Sequence, residues 1–415
     1  MAIYEPAEDS YMLQRYVREY ALGRVLDVGT GSGIQALEAM RNPNVREVVA
    51  VDINADVIEQ LREKVRVEKI RKVKVVQGDL FENIDGCFNL ILFNPPYLPQ
   101  DTIGEGKAKR VIEDAALYGG KKGWEISNRF FRDVSKYLFT DSVVLFLFSS
   151  LTDKAKIEEI LTHNLLEWRE LERKKMAYEE LYVYEVKKSL LLRELEKQAI
   201  DQVHYFTKGS RGFIYTGRQN TSVHIKKMIP LKMHYQTVAI KIKNIESKAE
   251  GSIRNEGLWL ERLNQERIGP QLIKAGEVDG KEYVIYQFVE GKEILEWIGG
   301  AAETEIIKKV LQDVLEQCFR LDQLGVTKEE MHHPIKHILV TEKNRAFLID
   351  FERTRLTDKP QNVTQFVEFI CRIKEQLEKK MVRVDVERLR GLAKEYKREP
   401  TLEQYHILDD NLFTK

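Results

Sequence analysis

The chain has 415 residues, which exceeds the roughly 250–300 residues that one hydrophobic core usually serves, so we expect two domains. Its 66 basic and 66 acidic residues balance, which excludes the large single-sign field of many nucleic-acid and membrane-surface proteins. The three cysteines lie far apart, which excludes a disulfide scaffold and a cysteine-rich zinc site. Without a signal peptide or a long apolar run, the sequence predicts a soluble, cytoplasmic protein that does not associate with membranes.

Residues 1–188 alternate between short apolar strands and helices. Strands are expected at 24–28, 48–51, 73–76, 90–93, 143–148 and 181–186, and helices at 34–40 and 55–67. This alternation is typical of a parallel sheet with helices on both faces, a Rossmann-like α/β fold. A charged helix at 190–200 is expected at the junction, so the predicted domains are 1–188 and 189–415.

The first strand runs into a glycine loop, Asp27-Val28-Gly29-Thr30-Gly31-Ser32-Gly33. Glycines permit a tight turn and let backbone N–H groups approach a ligand. Asp52 ends the next strand, where a carboxylate can hold two ribose hydroxyls. Asp79 ends the third strand, where it can face an adenine amino group. Three acidic residues at successive strand ends therefore predict a nucleoside site.

The fourth strand ends in the turn Asn94-Pro95-Pro96-Tyr97. Amide and exocyclic amino nitrogens are poor nucleophiles because their lone pair is delocalised. The Asn94 side-chain oxygen and the Pro95 carbonyl can accept both N–H hydrogens and so aim the lone pair at a methyl group. Tyr97 can pack on the flat acceptor, and the prolines fix the backbone. The turn predicts methyl transfer to nitrogen, either of an amide or of a nucleic-acid base.

The glycine loop and this turn resemble the HemK-type class I methyltransferases, which use S-adenosylmethionine. Two further segments resemble the archaeal and eukaryotic branch of that family, Tyr4-Glu5-Pro6-Ala7-Glu8-Asp9-Ser10 and Gly119-Gly120-Lys121-Lys122-Gly123-Trp124. The resemblance implies N5-methylation of the glutamine in the Gly-Gly-Gln tip of a class I release factor. A small zinc-binding activator subunit is a further partner that the family allows.

The resemblance also implies which residues hold the cofactor, namely Asp27, Gly29, Gly31, Gly33, Asp52 and Asp79. Asp9 stands at an expected helix start, where such a residue often serves as an N-cap. Basic residues follow the turn in a loop that is either a solvated face or a contact to ribosomal RNA or the release factor, at Lys107, Lys109 and Arg110.

Residues 201–415 place strands before helices, which predicts an α+β domain with two lobes. Strands are expected as a glycine-rich pair at 206–217 and then at 223–227, 237–242, 272–275 and 283–288. Helices are expected at 255–264 and 303–325.

Several segments of this half resemble parts of a nucleotide-binding site. Gly209 and Gly212 fit a loop that folds over nucleotide phosphates, and Lys241 ends a strand that matches the lysine strand of protein kinases. Glu256 on the next helix, or alternatively Glu261, can pair with Lys241 so that the ammonium meets the phosphates. A further strand ends in Asp350, where kinases keep their metal-binding aspartate.

The expected catalytic segment departs from the usual His-Arg-Asp pattern. Glu330 falls where the catalytic acid belongs, His337 falls where a metal-binding asparagine would stand, and Lys336 can bind a phosphate. Glu352 replaces the glycine that normally follows Asp-Phe. The three histidines of this segment lack the spacing of a third ligand for a transition-metal site.

The second half resembles the RIO-like archaeal kinases, in particular a group linked to RNA phosphorylation. Beside the lysine strand, the resemblance rests on Ile268-Gly269-Pro270, His333-Pro334-Ile335-Lys336-His337, Asp350-Phe351-Glu352-Arg353 and Asn362-Val363-Thr364-Gln365. It implies Mg²⁺-dependent transfer of the ATP γ-phosphate to a tRNA hydroxyl or to a protein serine or threonine. An ATP- or RNA-binding module without transfer activity stays open, because Lys328-Glu329 replaces the His-Gly of that group.

Overall fold

The computed structural model describes residues 5–100, 118–209, 211–221, 234–244 and 252–414. They belong to two compact units, Met1–Gln198 and Ala199–Lys415. The strand expected at 223–227 and the basic residues Lys107, Lys109 and Arg110 lie outside the described residues. Within the described ranges, no helix is both long enough and apolar enough to cross a membrane.

The first unit alternates strands and helices up to its last two strands. Its strands are β1 (Gly23–Val28), β2 (Val45–Asp52), β3 (Val73–Gln77), β4 (Phe88–Phe93), β5 (Leu138–Ser149), β6 (Leu166–Lys175) and β7 (Glu180–Lys188). Its helices are α1 (Glu8–Tyr20), α2 (Ile34–Ala39), α3 (Ala55–Val67), α4 (Glu125–Val134), α5 (Lys154–His163) and α6 (Leu190–Lys197).

These strands form one sheet in the order β3-β2-β1-β4-β5-β7-β6. The pairs from β3 to β5 are parallel, as expected, but β7 runs antiparallel to both β5 and β6. The expectation of an entirely parallel sheet is therefore wrong at this edge. A tight turn, closed by a hydrogen bond from Met176 N to Glu179 O, joins β6 to β7, and so short a connection requires antiparallel strands.

Alternating side chains of the central strands bury both faces of the sheet. Leu90 and Leu92 of β4 belong to an apolar cluster with residues of α1, α2 and α3. Phe93, on the opposite face, stacks on Phe130 of α4 with ring centres 3.8 Å apart. A strand buried on both faces reads as a continuous apolar run, which explains why β4 was visible in the sequence.

Helix α6 belongs to the first unit. Leu191, Leu192 and Leu195 are buried, and the Lys188 ammonium contacts the Glu196 carboxylate at 2.5 Å. The compact unit consequently ends at residue 198, ten residues beyond the boundary expected at 188 (198 − 188 = 10), because the charged helix buries its apolar side.

The second unit begins with strands and continues with helices. Its strands are β8 (Ile200–Lys208), β9 (Gly212–Asn220), β10 (Tyr235–Lys243), β11 (Leu272–Val278), β12 (Lys281–Gln287), β13 (Lys292–Glu293), β14 (Val326–Thr327), β15 (Ile338–Val340), β16 (Ala346–Leu348) and β17 (Arg355–Leu356). Its helices are α7 (Ile253–Leu263), α8 (Ile294–Gly299), α9 (Thr304–Gln323), α10 (Asn362–Arg372), α11 (Lys374–Glu378), α12 (Val386–Arg398) and α13 (Leu402–Asp410).

Five of these strands form an antiparallel sheet in the order β11-β12-β10-β9-β8. Helix α7 packs against β11 and β12. The large apolar cluster of this unit lies mainly among the helices that follow, where Leu311 and Leu315 of α9 share it with Phe366 and Ile370 of α10. This is the α+β order that the sequence predicted.

We predict that residues 1–198, expressed alone, fold and bind S-adenosylmethionine, whereas residues 1–188 are clearly less stable. Each buried leucine of α6 contributes roughly 1.5–3 kcal/mol, and the shorter fragment loses all three. Urea unfolding of both fragments measures the difference. Equal midpoints, or a 1–198 fragment that is insoluble, would contradict the prediction.

Candidate functional site

A cavity of about 450 Å³ opens in the first unit at the carboxyl ends of the parallel strands. Its lining includes the glycine loop after β1, Asp52 of β2, Asp79 after β3 and Asn94 after β4. The strand order reverses between β1 and β4, and open α/β sheets bind ligands at that point. The structure thus gathers at one edge the residues that the sequence singled out in four separate segments.

A buried carboxylate supports the glycine loop. Asp27 Oδ2 accepts hydrogen bonds from Thr30 Oγ1 at 2.6 Å and from Ala36 N at 3.1 Å. Gly29 and Gly31 have φ of +67° and +51°, the left-handed region that glycine adopts without strain. Burial raises the pKa of Asp27 to about 6, although the Thr30 hydroxyl opposes the shift. Asp27 therefore fixes the loop.

The two other acids differ in their surroundings. Asp52 accepts hydrogen bonds from Gly31 N and Asn54 N, each at 2.9 Å. Because each carboxylate oxygen has two acceptor sites, Asp52 keeps capacity for ribose hydroxyls. Asp79 forms an ion pair at 2.6 Å with Arg129, a cavity-lining residue that the sequence analysis did not single out.

The Asn94 amide is held in one orientation. Its Nδ2 donates to Asp9 Oδ2 at 3.0 Å. A carboxylate accepts hydrogen bonds and does not donate them, so the amide nitrogen must face Asp9 and the oxygen must point away. That oxygen, Asn94 Oδ1, is buried and has no hydrogen-bond partner among the described residues. An unsatisfied buried acceptor costs about 1–3 kcal/mol, which an N–H donor would relieve.

Asp9 lines the cavity and is not the N-cap of α1. The N-cap of α1 is Ala7, which makes no side-chain cap, and Asp9 lies inside the first turn. Its carboxylate is buried and reaches across 85 positions of sequence to Asn94. The signal for it was the segment around Glu8, Asp9 and Ser10, which the family resemblance had marked without giving a contact.

A second segment, around Gly119 and Gly123, packs closely against the turn that follows β4. A Cβ at Gly119 would lie 2.5 Å from the carbonyl oxygen of Pro96, and one at Gly123 would lie 2.4 Å from that of Tyr97. Only glycine permits backbones to approach so closely. Burial and the nearby carboxylates of Asp9 and Glu179 raise the pKa of Tyr97 well above its ordinary value, so its hydroxyl stays protonated.

The second unit holds a compact charge cluster around Lys241 of β10. Its ammonium lies 2.8 Å from Glu256, 2.7 Å from Glu352 and 3.4 Å from Asp350. Burial alone would lower the pKa of Lys241, but the neighbouring carboxylates hold it well above its ordinary value. Glu261, the alternative partner from the same helix, is exposed to solvent. The three carboxylates lie within 4.8 Å of one another, and the ammonium contacts each of them.

Glu330, His337 and Asp350 form a connected group beside this cluster. His337 Nε2 lies 2.6 Å from Glu330 Oε2, and His337 Nδ1 lies 3.8 Å from Asp350 Oδ2. Burial lowers the pKa of His337. Burial alone would raise the pKa of Asp350, but Lys241 and Lys328 hold it below its ordinary value. At neutral pH the group therefore contains a neutral imidazole and an ionised Asp350.

The remaining residues of this region take different positions. Arg211 of the glycine-rich loop forms an ion pair with Glu352 at 2.6 Å. Lys328 is buried, and its ammonium lies 5.4 Å from the centre of the Phe351 ring. Burial lowers the pKa of Lys328 to about 8. No local sequence pattern indicates the Arg211 contact or the burial of Lys328. Lys336, expected to bind phosphate, is exposed.

The two glycines of that loop face each other. Gly209 N donates to Gly212 O at 2.8 Å, which closes the turn between β8 and β9. A Cβ at Gly212 would lie 2.1 Å from the carbonyl oxygen of Ile242 on β10. Gly212 is therefore required for strand packing, whatever the loop binds.

Known proteins with similar sequences match the first unit of this chain. A family model described as the methyltransferase small domain matches residues 8–134. A Methanocaldococcus jannaschii protein, provisionally named protein N5-glutamine methyltransferase, is 37% identical over 150 residues, which are 36% of this chain and 74% of that protein. The release factor glutamine methyltransferase of Deinococcus radiodurans is 39% identical over 105 residues, which are 25% of this chain and 37% of that protein.

Among solved structures, the E. cuniculi Mtq2–Trm112 complex, responsible for methylation of the eRF1 translation termination factor, is 26% identical. The match covers 46% of this chain and 100% of that chain, with a TM-score of 0.35. The family match, together with the strand order of the sheet, shows a class I methyltransferase fold in the first unit.

We predict that Asp27→Asn removes part of the pH dependence of stability. The pKa of Asp27 is raised from 3.8 to about 6, so its stabilising contribution is complete below about pH 4 and is lost as the pH rises through about 6. From pH 4 to pH 7 the wild type should lose about 2 kcal/mol relative to the variant. Urea unfolding of both proteins measures this, and a constant difference would contradict it.

Proposed function

The first unit makes this chain a member of the protein N5-glutamine methyltransferase family, and from that premise we propose that it methylates the side-chain amide nitrogen of a glutamine in a class I release factor. The observation that carries the proposal is the buried, unpaired Oδ1 of Asn94. It lies in the turn that lines the cavity, next to the glycine loop. An amide N–H is the donor that this oxygen lacks.

The residues of the turn would act mainly by positioning. Asp9 holds the Asn94 amide in place. Asn94 Oδ1 would then accept a hydrogen bond from one N–H of the substrate glutamine amide, and the Pro95 carbonyl would accept one from the other N–H. The acceptor lone pair then points along the line of displacement, which is the geometry that proximity catalysis needs. Bound S-adenosylmethionine supplies an electrophilic methyl group on a sulfonium. The protonated Tyr97 would pack on the amide plane and provide no base. On transfer, the S–CH₃ bond would break so that the sulfur leaves as a neutral thioether, and the nitrogen would lose one proton to solvent.

The glycine loop and the acids would hold the cofactor. Gly29, Gly31 and Gly33 give backbone access, Asp27 supports their conformation, and Asp52 and Asp79 accept from the ribose and adenine groups. The cavity volume of about 450 Å³ falls within the usual range for small-molecule sites. S-adenosylmethionine therefore fits the donors and acceptors that are present.

We predict that Asn94→Ala lowers methyl transfer by about 100-fold or more, since loss of alignment alone costs that much, while cofactor binding stays unchanged. Asp52→Ala should instead weaken cofactor binding. Asn128→Ala, at an exposed position of α4, is the control. Mass spectrometry of release factor, incubated with S-adenosylmethionine with and without a small zinc-binding activator, measures transfer. Retained methylation in Asn94→Ala would contradict the assignment.

The same assay distinguishes the acceptor class. Labelled S-adenosylmethionine with cell extract, before and after RNase, separates a protein acceptor from an exocyclic amine of a nucleic acid. We expect label in protein that RNase does not remove. Label confined to nucleic acid would favour the amine and reject the release factor.

For the second unit we propose phosphoryl transfer from ATP to an RNA hydroxyl, with tRNA as the expected acceptor. We expect transfer to RNA to be faster than transfer to a protein serine or threonine. The observation that carries it is Lys241 paired with Glu256 and close to Asp350. Such a lysine neutralises phosphate charge, and such an aspartate holds the metal ion. The sequence predicts Mg²⁺ for that role. Glu330 is the proposed base, because a carboxylate within hydrogen-bond reach suffices to orient a hydroxyl.

The contacts of Glu352 affect how ATP could bind in the second unit. Its carboxylate pairs with Lys241 and Arg211, two cations that phosphates would also attract. ATP would therefore compete with Glu352 for them, so we expect slow turnover. A module that binds nucleotide or RNA without transfer is the alternative, and turnover decides between them.

We predict that wild-type protein transfers label from γ-labelled ATP to tRNA and that Asp350→Ala lowers transfer by about 100-fold or more, the typical cost of losing a charge-stabilising group. Asp358→Ala, at an exposed loop position, should have no effect. Total protein serves as the second acceptor pool. Label that survives Asp350→Ala would contradict the assignment, and no label in either pool would favour the binding module.

A further inference from the structure

One ring nitrogen of His337 has no partner in the part of the chain that the structure describes. His337 Nδ1 is buried and unpaired, although the other nitrogen, Nε2, lies 2.6 Å from Glu330 Oε2. A buried polar atom without a partner calls for an explanation such as an ion that the protein binds. Without such a partner, the loss of hydration at His337 Nδ1 would destabilise the folded segment around it.

The surroundings of Nδ1 suit a cation. Asp350 Oδ2 lies 3.8 Å from it, and two ligand atoms of one ion lie about 3–4 Å apart when each is near 2.1 Å from the ion. The other oxygen, Asp350 Oδ1, faces Lys241 at 3.4 Å. Asp350 can thus keep its contact with Lys241 and still present Oδ2 to an ion beside His337.

Glu330 fixes which nitrogen of His337 is free. A carboxylate accepts the Nε2 hydrogen, so the neutral ring carries its lone pair on Nδ1. Glu330 is itself held from the other side by Arg353, whose guanidinium lies 3.3 Å from Oε1. Metal-binding histidines commonly show this arrangement, in which a carboxylate on the far nitrogen sets the tautomer and orients the ring.

The neighbouring carboxylates do not form an equivalent binding site for a cation. Glu256, Asp350 and Glu352 lie close enough together to hold an ion, but the Lys241 ammonium already contacts all three, and Arg211 pairs with Glu352. These two cations therefore already offset most of the charge of the three carboxylates. The Asp350 oxygen that faces His337, Oδ2, is not the oxygen that the Lys241 ammonium contacts.

We propose that His337 Nδ1 and Asp350 Oδ2 form a divalent-cation site, oriented by Glu330 as a positioning residue, that binds Mn²⁺ or a similar transition ion in preference to Mg²⁺. The proposal deepens the ATP-dependent function proposed above and rests on it for the role of the ion. Mn²⁺ accepts an imidazole nitrogen beside oxygen ligands more readily than Mg²⁺ does, because Mg²⁺ is a smaller, harder ion that prefers oxygen throughout. Water or phosphate oxygens would fill the other positions.

The test is the affinity of the full chain for Mn²⁺ and for Mg²⁺, measured with and without a non-hydrolysable ATP analogue. The EPR signal of free Mn²⁺ reports binding, and Mg²⁺ is measured by competition. We expect at least roughly tenfold tighter binding of Mn²⁺. Because an oxygen ligand removes the part of the preference that the nitrogen supplies, His337→Asn should narrow the difference between the two affinities. Exposed His333 provides the matched control, since His333→Asn should change neither affinity.

Two readouts separate coordination from a merely structural role. Pulsed EPR of bound Mn²⁺ should show coupling to an imidazole nitrogen, and protein labelled with ¹⁵N-histidine distinguishes this nitrogen from those of the nucleotide. Glu330→Gln should weaken Mn²⁺ binding by about tenfold, the lower end of the usual effect of such a partner. Thermal unfolding checks that the Glu330→Gln variant is folded.

Equal Mn²⁺ and Mg²⁺ affinities in the wild type, or a preference that His337→Asn leaves unchanged, would overturn the proposal, as would missing nitrogen coupling. These outcomes leave phosphoryl transfer intact if the chain still binds and turns over ATP with Mg²⁺. Conversely, nitrogen-coupled Mn²⁺ without any nucleotide binding would support the cation site and contradict the kinase function.

Discussion

The parallel course of β1, β2, β3 and β4 is the constraint on which the first unit depends. Parallel strands end at the same edge of a sheet, so the segments that follow them meet there however far apart they lie in the chain. The glycine loop, Asp52, Asp79 and Asn94 each follow or end one strand. Helices on both faces bury the sheet and leave that edge as the place for a ligand.

Buried charge organises the second unit in a different way. Lys241 comes from a strand, Glu256 from a helix, and Asp350 and Glu352 from the segment after β16. An isolated charge in that interior would cost several kcal/mol, so each group is retained only because the others compensate it. Removing one member consequently changes the electrostatics of all, which makes matched exposed controls necessary in every test of this region.

Sequence patterns predicted elements best where local signals were strong. The bounds expected for α3 agree with the structure, and β1 differs by one residue, because apolar periodicity and loop residues mark both. Strand β6 was missed because much of it is charged and exposed, as edge strands often are. β5 begins five residues before the expected 143 (143 − 138 = 5), since Phe139, Thr140 and Asp141 are exposed and hide its start.

The sequence by itself indicated where the sites lie, because their local backbone geometry requires particular residue types that can be recognised in the sequence. Glycines must adopt positive φ in the loop after β1, and prolines must fix the turn after β4. Only the tertiary structure decided which partners these residues meet. Asp9 and Asn94 are 85 positions apart, and Lys241 and Asp350 are 109 apart. Such contacts depend on how strands and helices pack, which no local pattern encodes.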